Sequence, residues 1–422
     1  MKIVHPICCG VDVHKKTIVA TIATTQNNIA DYTTRSFTTS NTDLISFRTW
    51  LLDHNCYHVC MESTGKYWIP IFNMLEHHMH VVLTHPKYVR AIKGKKTDKK
   101  DSKWIADLFK HDLVRASFIP PEDFRGMREL ARYRFKLVCM KTSEKNRYQN
   151  AMTLSNITLA NVLSDPFGKT ASGIMHYLLT SSVFDEDHCK KLIYKSAKKK
   201  TELILESIRG SNIRSDQAFK MNAAGDHMAY LNNMITQLEA ELFTRIQPYY
   251  GLVKMLADYI PGITELSATL ILAEVGADMS VFESTKHFVS WAGLAPANNE
   301  SAGKKKSTRI SRAGQYLKPL LINCAFAAVN EKKNPYFAIK YERLKKRRGH
   351  KKAIIAIARM MLTCIYHMIS TGEVFNPSDY EEVLSGSLSA RSNLNKQELN
   401  IEVAFAFLAA QGYDTSSLVK TG

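Results

Sequence analysis

Residues 7–25 read ICCGVDVHKKTIVATIATT, two short β-rich runs, Ile7 to Val13 and Thr17 to Thr25, joined by a turn at His14-Lys15-Lys16. Apolar and branched residues bounded by polar turns read as strands. A third run, Ile29 to Thr38, follows across Gln26-Asn27-Asn28, so the chain opens with three consecutive strands. Asn41 or Thr42 can then cap a helix that carries Leu44, Phe47, Trp50 and Leu51 on one face. Beyond it lie a strand from Tyr57 to Met61 ending in Glu62-Ser-Thr-Gly, a helix with Tyr67, Ile71, Met74 and Leu75, a strand from Val81 to Thr84 and a helix from Asp101 to Asp112.

Three strands, then helix, strand, helix, strand, helix, is the chain order of a ribonuclease-H-like α/β domain, expected over residues 1–118. The stretch from Pro120 to Pro261 has few strand signals and reads as helical, with loops at Asp165-Pro-Phe-Gly and from Gly210 to Gly225. Within it Met228, Leu231, Ile235, Leu238 and Leu242 step by three and four, an a/d seam over two heptads that pairs within its own domain or with a second chain. From Ile260 onward the chain reads as helical again, with a loop from Gly293 to Arg312. The expected class is α/β plus α: a first domain at 1–118, a helical, coiled-coil-containing middle at 119–255, a mostly helical domain at 256–374, and an extension at 375–422 without a usable motif.

Composition narrows the function. The 422 residues carry 57 Lys+Arg against 39 Asp+Glu, a net charge of +18, which favours a polyanionic partner, nucleic acid before membrane. Segment 301–352 alone holds sixteen Lys/Arg and two Glu, a net +14. Between Arg125 and Arg147 eight Lys/Arg face two Glu on a helix, read either as a solvated face or as a phosphate contact that includes Arg128 and Arg132. No run of ~18 uncharged apolar residues marks a membrane span. The first residues lack the apolar core of a signal peptide. Eight irregularly spaced cysteines read as buried thiols of a reducing cytoplasm.

Four carboxylates stand where chemistry is expected. Asp12 lies near the end of the first strand, Glu62 directly after the strand at Tyr57 to Met61, and Asp98 and Asp101 are three apart at a helix start, hence on one face. Singly, each fits a turn residue or a helix cap. Together, on strand and helix ends, they suit one or two Mg²⁺ ions, hard cations that prefer oxygen and can stabilise the attacking and leaving oxygens of a phosphodiester. The lysines among them, Lys95 and Lys96 included, suit a phosphate substrate. His54, Cys56, His58 and Cys60 alternate, but same-face neighbours about 6.6 Å apart on one strand do not close a zinc tetrahedron. They read as part of a partly buried strand.

These motifs resemble those of the IS110 family of insertion-sequence transposases, the DEDD transposases related to Piv-type DNA invertases. The resemblance rests on Cys9-Gly-Val-Asp12-Val-His-Lys-Lys, Met61-Glu62-Ser-Thr-Gly and Lys96-Thr-Asp98-Lys-Lys-Asp101-Ser. The later half carries it too, through Tyr259-Ile-Pro-Gly262-Ile-Thr, Phe288-Val-Ser-Trp-Ala-Gly-Leu-Ala-Pro296, Glu300-Ser301-Ala-Gly-Lys and Arg309-Ile-Ser-Arg-Ala-Gly314. It covers about residues 5–115 and 255–370. It implies a RuvC-like first domain in which Asp12, Glu62, Asp98 and Asp101 hold Mg²⁺. It also implies recombination of donor and target DNA under a structured noncoding bridge RNA, and a homo-oligomer, dimer or tetramer.

By the same resemblance Ser301 is the nucleophile that forms a phosphoserine link to DNA. An extra Ala302 separates it from Gly303, so Ser307 and Ser311 stay open as alternatives. A serine hydroxyl needs a base or a metal to become nucleophilic, and Ser301 lies beside Lys304, Lys305, Lys306, Arg309 and Arg312, which suit the scissile phosphate. Ile260-Pro-Gly262-Ile-Thr264 reads either as a helix–hairpin–helix phosphate contact or as a structural turn. The rival functions are a RuvC-like nuclease that uses water and a non-catalytic nucleic-acid-binding protein.

Overall fold

The computed structural model describes residues 2–62, 65–89, 97–181, 183–296, 299–301, 304–307 and 309–385. The chain divides into two compact units, Met1–Pro120 and Pro121–Gly422.

The first unit contains β1 (Ile7–Val13), β2 (Thr17–Gln26), β3 (Ile29–Thr38), α1 (Asn41–Asp53), β4 (His58–Glu62), α2 (Trp68–Leu75), β5 (His80–Thr84), α3 (Pro86–Val89) and α4 (Asp98–Lys110). The strands form one sheet in the order β3-β2-β1-β4-β5. β1–β2 and β2–β3 pair antiparallel, whereas β1–β4 and β4–β5 pair parallel. Asn27 and Asn28, at φ of 50° and 63°, supply the left-handed pair that a two-residue hairpin needs between β2 and β3. The cap of α1 differs from expectation by one residue. Ser40 accepts from the Asp43 N–H, while Asp43 accepts from the backbone and hydroxyl of Thr38.

Side chains alternate across the sheet with period two. Cys9, Val11 and Val13 of β1 and Val59 and Met61 of β4 face a core with Leu44, Phe47, Leu51, Ile71 and Leu75 of α1 and α2. Cys8, Ala23 and Cys60 face the other way, against Ile105, Ala106 and Phe109 of α4. Gly10 shares this second face and sits directly under α4, where a Cβ would lie 2.3 Å from both the Ser102 carbonyl oxygen and the Ala106 nitrogen. Buried Thr21 and Ser102 hydroxyls hydrogen-bond across the same contact at 2.7 Å. At the far end of α4, the Lys110 carbonyl accepts from the Val4 and His5 N–H groups ahead of β1. All eight cysteines are free thiols, and burial pushes Cys8 and Cys56 up to about 12.

The second unit is helical apart from one hairpin among its described residues. Its elements are α5 (Glu122–Leu154), α6 (Leu159–Val162), α7 (Lys169–Thr180), α8 (Glu186–Lys191), α9 (Thr201–Glu206), α10 (Ser215–Arg245), α11 (Tyr250–Tyr259), α12 (Glu265–Val275), α13 (Thr285–Trp291), β6 (Asn299–Ser301), β7 (Lys304–Ser307), α14 (Leu317–Val329), α15 (Tyr336–Arg348) and α16 (His350–Thr371). The a/d seam on α10 is satisfied within the chain, since Leu231 and Ile235 pack on Leu137 of α5. α10 also runs through Gly225, where the sequence reads as a loop; the glycine lies on an open helix face, with nothing within 4 Å of where a methyl would stand. α11 likewise runs through the 255/256 boundary read from the sequence.

At the α11–α12 turn Gly262, φ +81°, presses on α14, where a Cβ would lie 2.4 Å from the Cys324 carbonyl oxygen. Thr264 caps α12 by accepting from the Ser267 N–H. That geometry is the structural-turn alternative of the Pro-Gly motif. α16 is long and apolar enough to cross a bilayer by length and composition, with mean hydropathy 1.6. It carries Lys351, Lys352 and Arg359, and its Ile354, Ile357, Met361, Leu362 and Ile365 are buried in the unit's core.

Two glycines give opposite expectations. Gly10→Ala drives a methyl into the α4 backbone and should cost about 3 kcal/mol or more, whereas Gly225→Ala in an open helical position should stabilise by about 0.5–1 kcal/mol. Urea unfolding of both variants checks the pair; an unchanged midpoint for Gly10→Ala would refute the close approach.

Candidate active site

The contact at Gly10 places the acidic cluster. Asp12 follows Gly10 by two residues, so it shares the α4-facing side of β1, at the strand end, 6% exposed. The parallel register pairs Val11 with Met61. Glu62 therefore stands next in line beside Asp12, on a strand about 4.8 Å away. α4 runs back over β1, and its first turn, with Asp98 and Asp101, lies toward this same end of the sheet. Neither aspartate caps the helix: Thr97 does, accepting from the Lys100 N–H. Both carboxylates stand in the first turn, where the positive end of the helix dipole favours them.

Asp12 and Asp98 meet around His14. The imidazole Nε2 lies 3.3 Å from Asp12 Oδ2 and 3.5 Å from Asp98 Oδ1. One ligand atom from each of the three lies within 4.8 Å of the others, and no other group of His, Cys, Asp and Glu among the described residues meets that condition. The arrangement can hold a divalent cation, whereas the alternating His and Cys residues at 54–60 form no such group among the described residues. In the sequence alone His14 marks only a turn. Its one further signal is its spacing of two from Asp12, which keeps both on one side where the strand ends. Lys95 and Lys96, expected as phosphate contacts, lie outside the described residues.

In the second unit the region expected as a loop from Gly293 to Arg312 contains the β6–β7 hairpin. Ser301 pairs with Lys304 and Glu300 with Lys305, so Ser301 is the last strand residue before the tip, and Lys304, Lys305, Lys306 and Ser307 form the returning strand. The base of this excursion is clamped. A Cβ on Gly293 would lie 2.3 Å from the Ala313 carbonyl oxygen, and one on Gly314 would lie 2.0 Å from that of Ala292. Both glycines have positive φ, 71° and 68°. Lys318 Nζ donates to the Ser311 carbonyl at 2.7 Å, and a bridge pairs Pro296 with Ile310. The Ser311 hydroxyl accepts from the Ala313 N–H, a turn-stabilising role. Arg309 and Arg312 are exposed beside the hairpin.

Arg128 and Arg132 are differently placed from the sequence expectation. Arg132 makes a two-pronged contact to Glu274 at 2.8 and 2.9 Å, with Glu274 only 5% exposed, and lies over the Tyr316 ring at 4.8 Å. Arg128 donates to the Glu274 carbonyl, and burial pushes its guanidinium down to about 10. Both arginines fasten α5 to the end of α12, and through Tyr316 Arg132 also braces the residues just after Gly314. A partner distant in sequence, invisible in the local charge run, gives them a bracing role between helices.

Paired carboxylates at the end of the central strand, in a chain that also carries a basic helical unit, suit an enzyme that acts on nucleic acid, and the comparisons identify it as a DNA transposase or recombinase. Residues 9–157 match the DEDD transposase family of IS110, and residues 255–342 match the family described as Transposase IS116/IS110/IS902. The pilin gene-inverting proteins of Moraxella lacunata and Moraxella bovis are each 24% identical, over 88% of this chain and 98% of theirs. An uncharacterized 43.6 kDa protein of insertion element IS110 from Streptomyces coelicolor is 29% identical over 28% of each chain. The chain belongs to the IS110 family of transposases.

Removing Glu274 would leave the largely covered Arg128 guanidinium and the half-buried Arg132 without their carboxylate. Glu274→Ala should therefore destabilise the second unit by about 1–3 kcal/mol. Denaturant unfolding followed by hydrogen exchange in α5 and α12 reads the effect; wild-type protection there would show that the clamp is dispensable.

Proposed function

We propose that this transposase cuts and rejoins DNA by attack of a serine hydroxyl, with Ser301 as nucleophile and Mg²⁺ held by Asp12, Glu62, Asp98 and Asp101. The observation that carries the reading is the convergence of Asp12 and Asp98 from two distant segments. Oxygen donors dominate the group, which suits a hard cation, while His14 adds one nitrogen. When bound, the cation supplies Lewis acidity at the scissile phosphate. The five-strand order with mixed pairing fits a ribonuclease-H-like, RuvC-like domain, a fold whose strand ends carry such carboxylates.

In this mechanism Ser301 Oγ bonds to phosphorus and a DNA hydroxyl leaves. The phosphodiester energy is kept in a phosphoserine ester, so the reverse attack by a second DNA end rejoins the strands without external energy. Lys304, Lys305, Lys306, Arg309 and Arg312 neutralise the phosphates around the break. The relatives named for inverting a pilin gene fit a reaction that must both cut and reseal. A structured RNA encoded by the element guides the choice of DNA, as the family resemblance implies, so base pairing and not this chain selects the sequence. Cutting two DNA partners calls for a homo-oligomer, a dimer or tetramer.

Purified protein with RNA transcribed from the flanks of its own gene, Mg²⁺ and labelled junction DNA tests the chemistry on a denaturing gel. The label should migrate with protein for wild type and not for Ser301→Ala, and Asp12→Asn should slow the reaction by at least about 100-fold. Free cut DNA without an adduct, unchanged in Ser301→Ala, would instead establish a water-using nuclease.

Binding offers a separate check. Alanine at Lys304, Lys305 and Lys306 should make log K less steep in log salt, by up to about 0.9 for each phosphate no longer neutralised. An unchanged slope would remove the hairpin from the interface.

A further inference from the structure

The imidazole of His14 stands where a third carboxylate would be expected. Of the four acidic residues singled out in the sequence, Asp12 and Asp98 belong to the close group of three found among the described residues, and His14, rather than Glu62 or Asp101, completes it. The position is built by the backbone. The His14 N–H donates to the Thr17 carbonyl at 2.9 Å and closes the turn between β1 and β2. Thr39, just past β3, ties the same turn down: its N–H donates to the Lys16 carbonyl and its hydroxyl to the Lys15 carbonyl, each at 3.1 Å.

The distances discriminate between two uses of the ring. A charge-assisted N–H···O bond to a carboxylate is about 2.7–2.9 Å long. His14 Nε2 stands farther off, 3.3 Å from Asp12 Oδ2 and 3.5 Å from Asp98 Oδ1. Donors bonded at about 2.1 Å to one octahedral cation lie about 3.0 Å apart when adjacent and about 4.2 Å apart when opposite. Both observed separations fall in that interval. The side chain of Asp12 is 9% exposed, whereas those of His14 and Asp98 are 45% and 58% exposed, so a cation can enter from solvent onto a covered carboxylate.

We infer that His14 is a directly bonded nitrogen ligand of the cation held by Asp12 and Asp98, and that it turns the site toward Mn²⁺ or a later first-row divalent ion over Mg²⁺. Carboxylates alone suit Mg²⁺, Ca²⁺ and Mn²⁺, whereas imidazole suits transition metals, for which affinity at mixed nitrogen and oxygen sites rises from Mn²⁺ along the row. One nitrogen among oxygens therefore penalises the hardest ion most. The inference rests on the metal-site reading above for its two carboxylates and not on the serine chemistry.

The test loads the full-length chain, stripped of metal by chelation, with Mn²⁺ or Mg²⁺ alone. Electron spin-echo spectra of bound Mn²⁺ should show a directly bonded ¹⁴N nucleus, replaced by the ¹⁵N pattern when only the histidines carry ¹⁵N. Calorimetric titration should give tighter binding of Mn²⁺ than of Mg²⁺. His14→Gln, which offers an amide oxygen in place of the nitrogen, should abolish the nitrogen coupling. It should weaken Mn²⁺ by at least about 10-fold, the lower end of what losing a ligand's hydrogen-bond partner costs, and change Mg²⁺ little. Asp12→Asn should weaken both ions. Bound Mn²⁺ without nitrogen coupling, or a Mn²⁺ preference unchanged in His14→Gln, would overturn the inference and leave the carboxylate site standing. Binding of both ions that is indifferent to Asp12→Asn would overturn it together with the metal-site reading.

Discussion

The approach of α4 to β1 at Gly10 is the contact on which the first unit's chemistry depends. A helix backbone touching a strand backbone, with the Ser102 carbonyl and Ala106 nitrogen where a side chain would begin, fixes both distance and register. Because α4 runs opposite to β1, that one contact sets which of its turns overlies which strand end. The Thr21–Ser102 hydrogen bond and the Val4 and His5 bonds to Lys110 hold the register from both sides. Asp98 then has one place to be, over Asp12. A side chain at Gly10 would lift the helix, and the acidic cluster would separate with no change in any of its members.

The second unit solves a comparable problem with charge. Arg128 and Arg132 carry half-buried guanidiniums to the buried Glu274, whose backbone and carboxylate both accept. Ion pairs of this kind add little net stability compared with apolar packing, but losing one member is severe, so they act as a specification of geometry. What they specify includes Tyr316 and, with it, the base of the hairpin that carries Ser301.

Much of this is legible in the sequence, and the exceptions have physical causes. The strands β1 and β3 match their expected limits at both ends, because alternation and the Asn27-Asn28 turn are local signals. Asp12, Glu62, Asp98 and Asp101 stand out by the element types they terminate, and the structure brings Asp12 and Asp98 together. His14 does not stand out, because its role depends on a helix that arrives from far along the chain. The β6–β7 hairpin is hidden because its returning strand is Lys-Lys-Lys-Ser, a run with little strand propensity. Gly225 suggests a loop by composition, yet α10 continues because packing on α5 outweighs one unfavourable residue. The basic run on α5 looks uniform in sequence, but two of its arginines are tied to the buried Glu274 of α12.

Reciprocal packing of Gly293 and Gly314 has a consequence for variation among relatives. Each glycine makes room for the backbone next to the other, so the two positions are tied, and a larger residue at either would open the neck of the hairpin. Everything beyond the neck is freed from that constraint. Lengthening a closed loop is thermodynamically mild, about 0.6 kcal/mol per doubling, so residues can be inserted at the tip without disturbing the helices below. The reach of the hairpin can therefore drift while its footing stays the same.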